Sequence, residues 1–319
     1  MKIVIPGGSG QVGTMLARAF NNDGHDVVVL TRKIHAADWK VIAWDAETFG
    51  EWTDEINGAD AVINLAGRNV NCRYTPENRK EIMDSRVKPT RAVGEAIANS
   101  ANPPKVWLQS STATIYAHRF DAPNDEETGI IGGNEPDAPE TWRFSIDVAK
   151  AWEQAANEAN TPKTRKVMMR SAITLSPDHG GIFDVLLGLV RKGLGGTAGD
   201  GQQYISWIHE TDFVRSVYWL IEHQELSGAV NLASPNPMIN KDFMRILRDS
   251  WGASIGLPAA KWMLGLAAVF MGTETELILK SRRVVPKRLT DSGFSFSFPL
   301  WEQAAQDLCR RWRHENHSA

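Results

Sequence analysis

The sequence predicts an α/β protein, a doubly wound parallel sheet joined to a smaller, mostly helical carboxyl-terminal lobe. Three observations carry this. Short β-branched runs without polar alternation, such as Val27-Val28-Val29-Leu30, have the pattern of strands buried on both faces. Amphipathic helical stretches separate those runs, so that strand and helix alternate as they do around a parallel sheet. After Ser171 the alternation gives way to glycine-rich turns and helical patterns.

The elements follow in order. Lys2 to Pro6 is a first strand running into Gly7-Gly8-Ser9-Gly10-Gln11-Val12-Gly13. Val12, Met15, Leu16, Ala19 and Phe20 then recur at helical spacing up to about Asp23-Gly24, and Val27 to Leu30 is the second strand. Lys40 to Trp44 and Ala61 to Leu65 are the third and fourth, the latter ending in Ala66-Gly67. A long helix fills Pro76 to Asn99, with Pro89 allowed only as a kink or as the start of a new helix. Lys105 to Gln109 is a fifth strand leading into the hydroxyl cluster Ser110-Ser111-Thr112. The polar stretch over 118–141 has the length of a lid or a disordered loop. A helix over Trp142 to Asn160 and a strand at Lys166 to Arg170 complete a first domain spanning 1–170. Residues 171–319 form the second lobe, with a short strand near Gln203 to Trp207; Gly228 to Leu232 is expected to return to the first sheet.

With 42% apolar residues and a net charge of −3, the chain has material for a sizeable core and no electrostatic footprint for nucleic acid. Cys72 and Cys309 have neither disulfide nor metal-ligand spacing, so no metal is expected and a reducing compartment is. Met1-Lys2 leads at once into a strand, and the apolar stretch Trp262 to Met271 is short of the roughly 20 residues of a membrane span. The expectation is a cytoplasmic protein with no membrane contact. The twelve scattered tryptophans read mostly as packing.

Chemistry starts at Gly7-x-x-Gly10-x-x-Gly13. A strand ending in this spacing and opening a helix lets backbone approach a pyrophosphate, which the free amides and positive dipole end of the helix then hold. At the end of the second strand stands Thr31-Arg32-Lys33, with no acid between Val27 and Ala37. Arg32 can grip a ribose 2′-phosphate in a fork and Thr31 can donate to it, which predicts NADP(H) in preference to NAD(H). The expected cofactor shell also includes Ser9, Gln11, Val12, Lys33, Leu65-Ala66-Gly67, Ser110 and Arg170. It extends to Asp45, which either accepts from an adenine amino group or caps a turn.

These motifs resemble the extended short-chain dehydrogenase/reductases. The resemblance rests on the glycine turn, Asn64-Leu65-Ala66-Gly67, Ser110-Ser111-Thr112-Ala113-Thr114-Ile115-Tyr116, and Gly199-x-Gly201-Gln202-Gln203 with Trp207-Ile208-His209-x-x-Asp212. Trp152-Glu153, Gly193-Leu194-Gly195-Gly196, Val285-Pro286-Lys287-Arg288-Leu289 and Ser292-Gly293-Phe294 resemble its atypical NAD-dependent epimerase/dehydratase-like branch, the "epimerase family", YfcH-like in bacteria. That branch has a short carboxyl-terminal domain of undefined role, here about 254–301. The resemblance implies a Rossmann domain with a substrate cleft between the lobes, hydride transfer to or from a small polar substrate, and Thr112 or Ser111 orienting the reacting oxygen. It places Gln203, Trp207 and His209 where relatives shape the substrate pocket; His209 either titrates there or caps and packs.

The sequence departs from the family at the acid/base pair, because no Tyr-x-x-x-Lys exists: Tyr74, Tyr116, Tyr204 and Tyr218 are followed four places on by Asn78, Phe120, Ile208 and Glu222. Counting back from Trp152-Glu153 puts the tyrosine slot near Phe144-Ser145 and the lysine slot near Ala149-Lys150. Tyr116 either acts as the acid from another direction or packs. Lys150 either holds the nicotinamide ribose or faces solvent. Arg68, Arg73 and Arg86 are candidate anchors for an anionic substrate, Arg86 standing where family members commonly have asparagine. Sequence does not separate a reductase from an epimerase. A rival reading is a non-catalytic NADP(H)-binding sensor or scaffold, with Trp262 to Met271 and the basic residues Lys280 to Arg283, Lys287 and Arg288 as partner surfaces. Relatives also suggest a homodimer.

Overall fold

The computed structural model of the chain describes residues 1–136, 138–260 and 276–317. In chain order, β1 (Lys2–Pro6), β2 (Asp26–Thr31), β3 (Lys40–Ala43), β4 (Ala61–Asn64), β5 (Val106–Thr112) and β6 (Arg165–Ser171) build the main sheet. β7 (Ile173–Leu175) pairs with β9 (Trp207–His209), and β8 (Tyr204–Ile205) pairs with β11 (Met238–Ile239). β10 (Gly228–Leu232) returns to the main sheet beside β6, giving seven parallel strands in the order β10-β6-β5-β4-β1-β2-β3. The order reverses between β1 and β4, and such a switch point opens a crevice at the carboxyl ends of the strands.

The period of two along each strand divides the core. Ile3, Ile5, Val27 and Val29 face one side, with Leu16 and Phe20 of α1 (Gln11–Asn22) and Phe213, Val217 and Leu220 of α6 (Glu210–Glu222). Val4, Val28, Leu30, Val62 and Trp107 face the other side. There they meet Trp52 of α2 (Trp52–Ile56), Ala92, Val93 and Ile97 of α3 (Pro76–Asn99), and Ala156 of α4 (Glu140–Glu158). A third cluster holds the second lobe together. It joins Phe183 and Leu187 of α5 (Ile182–Arg191), Phe243 and Leu247 of α7 (Asn240–Trp251), Trp207, and Trp301, Leu308 and Trp312 of the last helix, Trp301–His317. Many of the tryptophans are packing: Trp107, Trp207 and Trp301 are fully buried.

α3 runs through Pro89 as a single helix; the proline costs only the bond that its missing N–H would have made to Ser85. The polar stretch after Tyr116 is pinned to the body rather than forming a lid. Asn124 is buried, its N–H donates to Arg283 O at 2.6 Å, and its Oδ1 accepts from Ile130 N at 3.0 Å. The strand expected near 203–207 is split into β8 and β9 at Ser206. Its hydroxyl donates to Arg282 O at 2.6 Å and accepts from Val284 N at 2.8 Å, tying it to the chain's carboxyl-terminal part. The apolar stretch Trp262 to Met271 lies outside the described residues. Among the described residues no helix is long and apolar enough to cross a membrane, and no group of three or more His, Cys, Asp or Glu residues could hold a metal ion.

One buried polar network crosses the sheet. Glu153 on α4 takes Arg170 of β6 in a two-point pair, 2.8 Å on each arm, and both side chains are about one-eighth exposed. Removing a buried partner strands the other charge at about 3–5 kcal/mol. Glu153→Ala should therefore lower the unfolding free energy by about that amount in denaturant titration, while Glu158→Ala on the outer face of the same helix should change it by about 0.5 kcal/mol or less.

Candidate functional site

The glycine turn is built by close backbone approach. Gly7 has φ +74°, and a Cβ there would stand 2.6 Å from the Cα and N of Ala66. A Cβ on Gly13 would stand 2.4 Å from Gly8 Cα. Gly10 differs, because nothing lies within 4 Å of its Cβ position. It caps α1 without a side-chain hydrogen bond, and the first turn carries no acid. The first intrahelical bond runs from Thr14 N to Gly10 O at 2.8 Å, so the amides of Gln11, Val12 and Gly13 have no backbone partner among the described residues and stand at the positive end of the helix dipole. At the rim, Gln11 Nε2 is buried without an acceptor. A dinucleotide diphosphate fits this cradle: its oxygens would satisfy the amides and that orphaned donor.

Around the cradle, Asn64 accepts from Ala66 N at 3.1 Å and donates to Gln109 Oε1 at 2.9 Å, which holds Leu65-Ala66-Gly67 against Gly7. Thr31 Oγ1 is 3.0 Å from Ser9 Oγ, so the end of β2 is tied to the glycine turn. Arg32 and Lys33 are exposed beside that bond, with no ion pair among the described residues. From the second lobe, Gly181 closes on Gln11 and Asp178 pairs with Arg18 of α1 at 3.6 Å.

The other end of the crevice is a cavity of about 120 Å³ lined by Thr112, Tyr74, Arg86, Ser145, Glu276 and Arg282, with Phe144, Val148 and Ile82 as apolar wall. Gly67 connects the two ends, its Cβ position being 3.3 Å from Arg86 Cγ. The Thr112 hydroxyl accepts from Thr114 N at 3.1 Å, starting the short 3-10 turn Ala113–Ile115, and its own O–H is left to donate. Ser145 donates to Glu276 Oε2 and lies 3.4 Å from Tyr74 OH. Since the serine proton goes to the carboxylate, the phenol is the donor in the second contact. Burial, reinforced by the Glu276 charge, pushes the Tyr74 phenol up to about 12. Arg282 lies 3.7 Å from Glu276 and donates to Thr114 Oγ1 at 3.1 Å. Lys280 donates to Thr114 O at 2.7 Å, and burial pulls its ammonium down to about 8.

The model of the NAD dependent epimerase/dehydratase family matches residues 3–233. The chain belongs to that family. A second model, Domain of unknown function (DUF1731), matches residues 259–308 and so includes Glu276 and Arg282. The human epimerase family protein SDR39U1 is 30% identical over 313 residues, 97% of this chain and 99% of that protein. The chloroplastic SDR39U1 homolog of Arabidopsis thaliana is 30% identical, covering 97% and 86%. The crystal structure of human SDR39U1 isoform 2 with NADPH superposes with a TM-score of 0.84 at 28% identity, over 97% of this chain and 99% of that one. A nucleoside-diphosphate sugar epimerase from Corynebacterium glutamicum gives 0.75 at 28% identity, over 97% of this chain and 58% of that one.

Several expected site residues lie elsewhere in this epimerase/dehydratase-family fold. Ser111 donates to Glu153 at 2.6 Å, on the α4 side of the sheet, which leaves Thr112 as the cleft hydroxyl. Arg170 does not reach the cradle: burial alone would lower its guanidinium, but the paired Glu153 raises it well above the usual value. Tyr116 packs; its hydroxyl donates to Asn231 Oδ1 and accepts from Arg170, both at 3.0 Å. At the lysine slot near Ala149-Lys150, Lys150 lines an open hollow with Glu153, Gln154 and Ile131, and Ala149 is buried against Ala113, Ile115 and Tyr116. Asp45 caps its own turn, accepting from Glu47 N at 2.9 Å and Thr48 N at 2.8 Å. Arg68 is bound to Asn78 and Glu81 on α3. Gln203 braces Ala198 O at 3.0 Å, and Trp207 is fully buried against Trp301 and donates to Asn236 O. The basic residues near 280–288 all make contacts within the chain. Lys280 and Arg282 are committed as above, Arg288 donates to Ser227 O and Ala229 O, Lys287 pairs with Glu127 and Asp291, and Arg283 lies over the Tyr204 ring. Tyr74, Ser145 and Glu276 come from three distant segments, and only the missing tyrosine near Phe144-Ser145 hinted at them.

His209 is also structural. Its Nδ1 accepts from Thr211 N at 3.1 Å, capping α6, its ring stacks on Phe298, and Asp307 Oδ2 lies 3.3 Å from Nε2. Burial outweighs Asp307 and pulls the imidazole down to about 4, with Arg311 adding to the shift. The unfolded chain takes up this proton near pH 6.5. The folding stability associated with His209 is therefore complete above that pH and is lost as pH falls toward 4, by up to about 3 kcal/mol. Urea titrations across pH 7 to 4 should show this decline, and His209→Asn, which keeps a cap acceptor, should flatten it.

Proposed function

We propose that the chain is an NADP(H)-dependent hydride-transfer enzyme, an oxidoreductase or an epimerase-like one, with a proton path that replaces Tyr-x-x-x-Lys. The reading is carried by one arrangement: the uncapped glycine cradle and the Thr112 cavity are joined through Ala66 and Gly67 at a single strand end. The amides of the cradle and Gln11 hold the diphosphate, while Arg32 takes the 2′-phosphate and Thr31, its proton given to Ser9, holds the end of β2 in place. That NADPH occupies the human relative supports the preference. The bound nicotinamide supplies a site that gives or takes a hydride.

The remaining work falls to the chain's own groups. Thr112 donates to the substrate oxygen and orients it. For oxidation, the substrate hydroxyl passes its proton to Tyr74 as Tyr74 passes its own to Ser145 Oγ and Ser145 passes its own to the Glu276 carboxylate; reduction runs the chain in reverse. A phenol with a pKa near 12 is a poor base by itself, and the relay lets it act without being a phenolate at rest. The missing Tyr-x-x-x-Lys pair favours a second reading, a protein that binds the dinucleotide without turnover.

Calorimetry with NADPH and NADH tests the cofactor. A charge-assisted phosphate contact is worth about 1.5–3 kcal/mol, so NADPH should bind about tenfold or more tightly than NADH. Arg32→Ala should erase that difference, and equal wild-type affinities would remove the preference. In assays with NADPH and a carbonyl panel, Tyr74→Phe and Glu276→Gln should lower turnover by about 10²–10⁴ with NADPH binding intact. Undiminished turnover in both variants excludes the relay, and tight NADPH binding with no turnover on any substrate decides for the binder.

A further inference from the structure

We infer that the cavity beside Thr112 takes a small monocarboxylate, a 2-oxo or 2-hydroxy acid, with Arg86 as the counter-ion of its carboxylate. The identity of the reacting oxygen rests on the hydride-transfer reading; the carboxylate site does not.

The charges lining the cavity do not balance. Arg282 is matched by Glu276 at 3.7 Å, and Tyr74 is neutral. Arg86 has no carboxylate in ion-pair range among the described residues. Its Nη1 donates to Ile82 O and its Nη2 to Arg68 O, both at 3.1 Å, so its protein partners are neutral carbonyls. Burial pulls the guanidinium down to about 10, in keeping with a cation short of a counter-ion. One uncompensated positive charge calls for one negative charge from the ligand.

The guanidinium is also held ready. Its Cζ lies 5.0 Å from the Trp152 ring centroid, and the Trp152 indole donates to Thr90 Oγ1 at 3.1 Å. Thr90 in turn donates to Arg86 O at 2.7 Å. A planar fork fixed in this way has the geometry that carboxylates accept at two points.

Size and wall set the rest of the ligand. About 120 Å³ is the share of about four waters, and Phe144, Val148 and Ile82 offer carbon rather than hydrogen bonds. Arg86 and Thr112 line the same cavity, and the proposal puts the carboxylate held by the one and the oxygen held by the other on adjacent carbons. This is the pattern of a 2-oxo acid that gains hydride at C2 and a proton at its oxygen to become the 2-hydroxy acid, the cofactor being oxidised, or of the reverse.

The test uses the full chain with oxamate, an unreactive 2-oxo acid analogue, and with inorganic phosphate, in calorimetry and thermal unfolding, without and with saturating NADPH. Oxamate should bind the wild type in at least one of the two states, phosphate at least tenfold more weakly, and Arg86→Gln should weaken oxamate tenfold or more. Arg86→Lys, which keeps the charge but not the fork, should fall between and serves if the glutamine variant does not fold. Absence of oxamate binding in both states, or binding unchanged in folded Arg86 variants, overturns the proposal. So does loss of NADPH affinity in Arg86→Gln with no oxamate binding, which would assign the anion to the cofactor. Oxamate binding to a chain that takes up no NADPH would keep the carboxylate site and refute the cofactor reading.

Discussion

The contact on which the site depends is backbone against backbone, Gly7 against Ala66. Two strand ends on either side of the switch point meet with no room for a side chain, and the left-handed turn at Gly7 is open to glycine at little cost. Everything near it is secondary to that approach. Asn64 holds the partner strand end in place, Gly13 lets α1 start close behind the turn, and Gly10 alone opens outward. A diphosphate cradle is what remains when two strand ends are brought so close that amides, and not side chains, form the surface.

The Thr112 end is assembled differently. β5 contributes Thr112, the segment before α3 contributes Tyr74, α4 contributes Ser145, and the carboxyl-terminal part contributes Glu276 and Arg282. The last of these falls within the stretch matched by the domain of unknown function. That domain is therefore part of the cavity wall. In the resembling enzymes a tyrosine and a lysine one helical turn apart need only their own helix to stay aligned. Here the hydroxyl-to-carboxylate chain spans three segments, and its alignment depends on how well the lobes are packed together. The Lys280 and Arg282 bonds to the 3-10 turn after β5 provide that fastening.

Periodicity and punctuation made the sheet and the cradle legible. Uniformly apolar strands, amphipathic helices and three spaced glycines each leave a local signature, and the fold realises the main-sheet strands with shifts of up to three residues. The site residues that moved were misread for a different reason. Ser111 and Arg170 belong to the faces of Trp107 and Met168, the side covered by α4, and the alternation of their strands carries that information. Trp207, Gln203 and His209 form a motif in sequence because they fold one turn of the second lobe. Beyond the missing tyrosine near Phe144-Ser145, the Tyr74, Ser145 and Glu276 cluster left no signature, since a hydrogen bond between residues 131 positions apart follows from tertiary packing and not from local pattern.

The return of β10 to β6 has a bearing on biosynthesis. As the chain leaves the ribosome, β6 emerges long before its outer neighbour, and the whole segment from β7 to α6 must first be made. Until Gly228 to Leu232 arrive, the backbone amides and carbonyls along that border of β6 are bare, an invitation to pairing with another nascent molecule. The buried Glu153–Arg170 clasp sits on this same strand and is made by residues already synthesised, so the half-built border can be held in shape while it waits for its last strand.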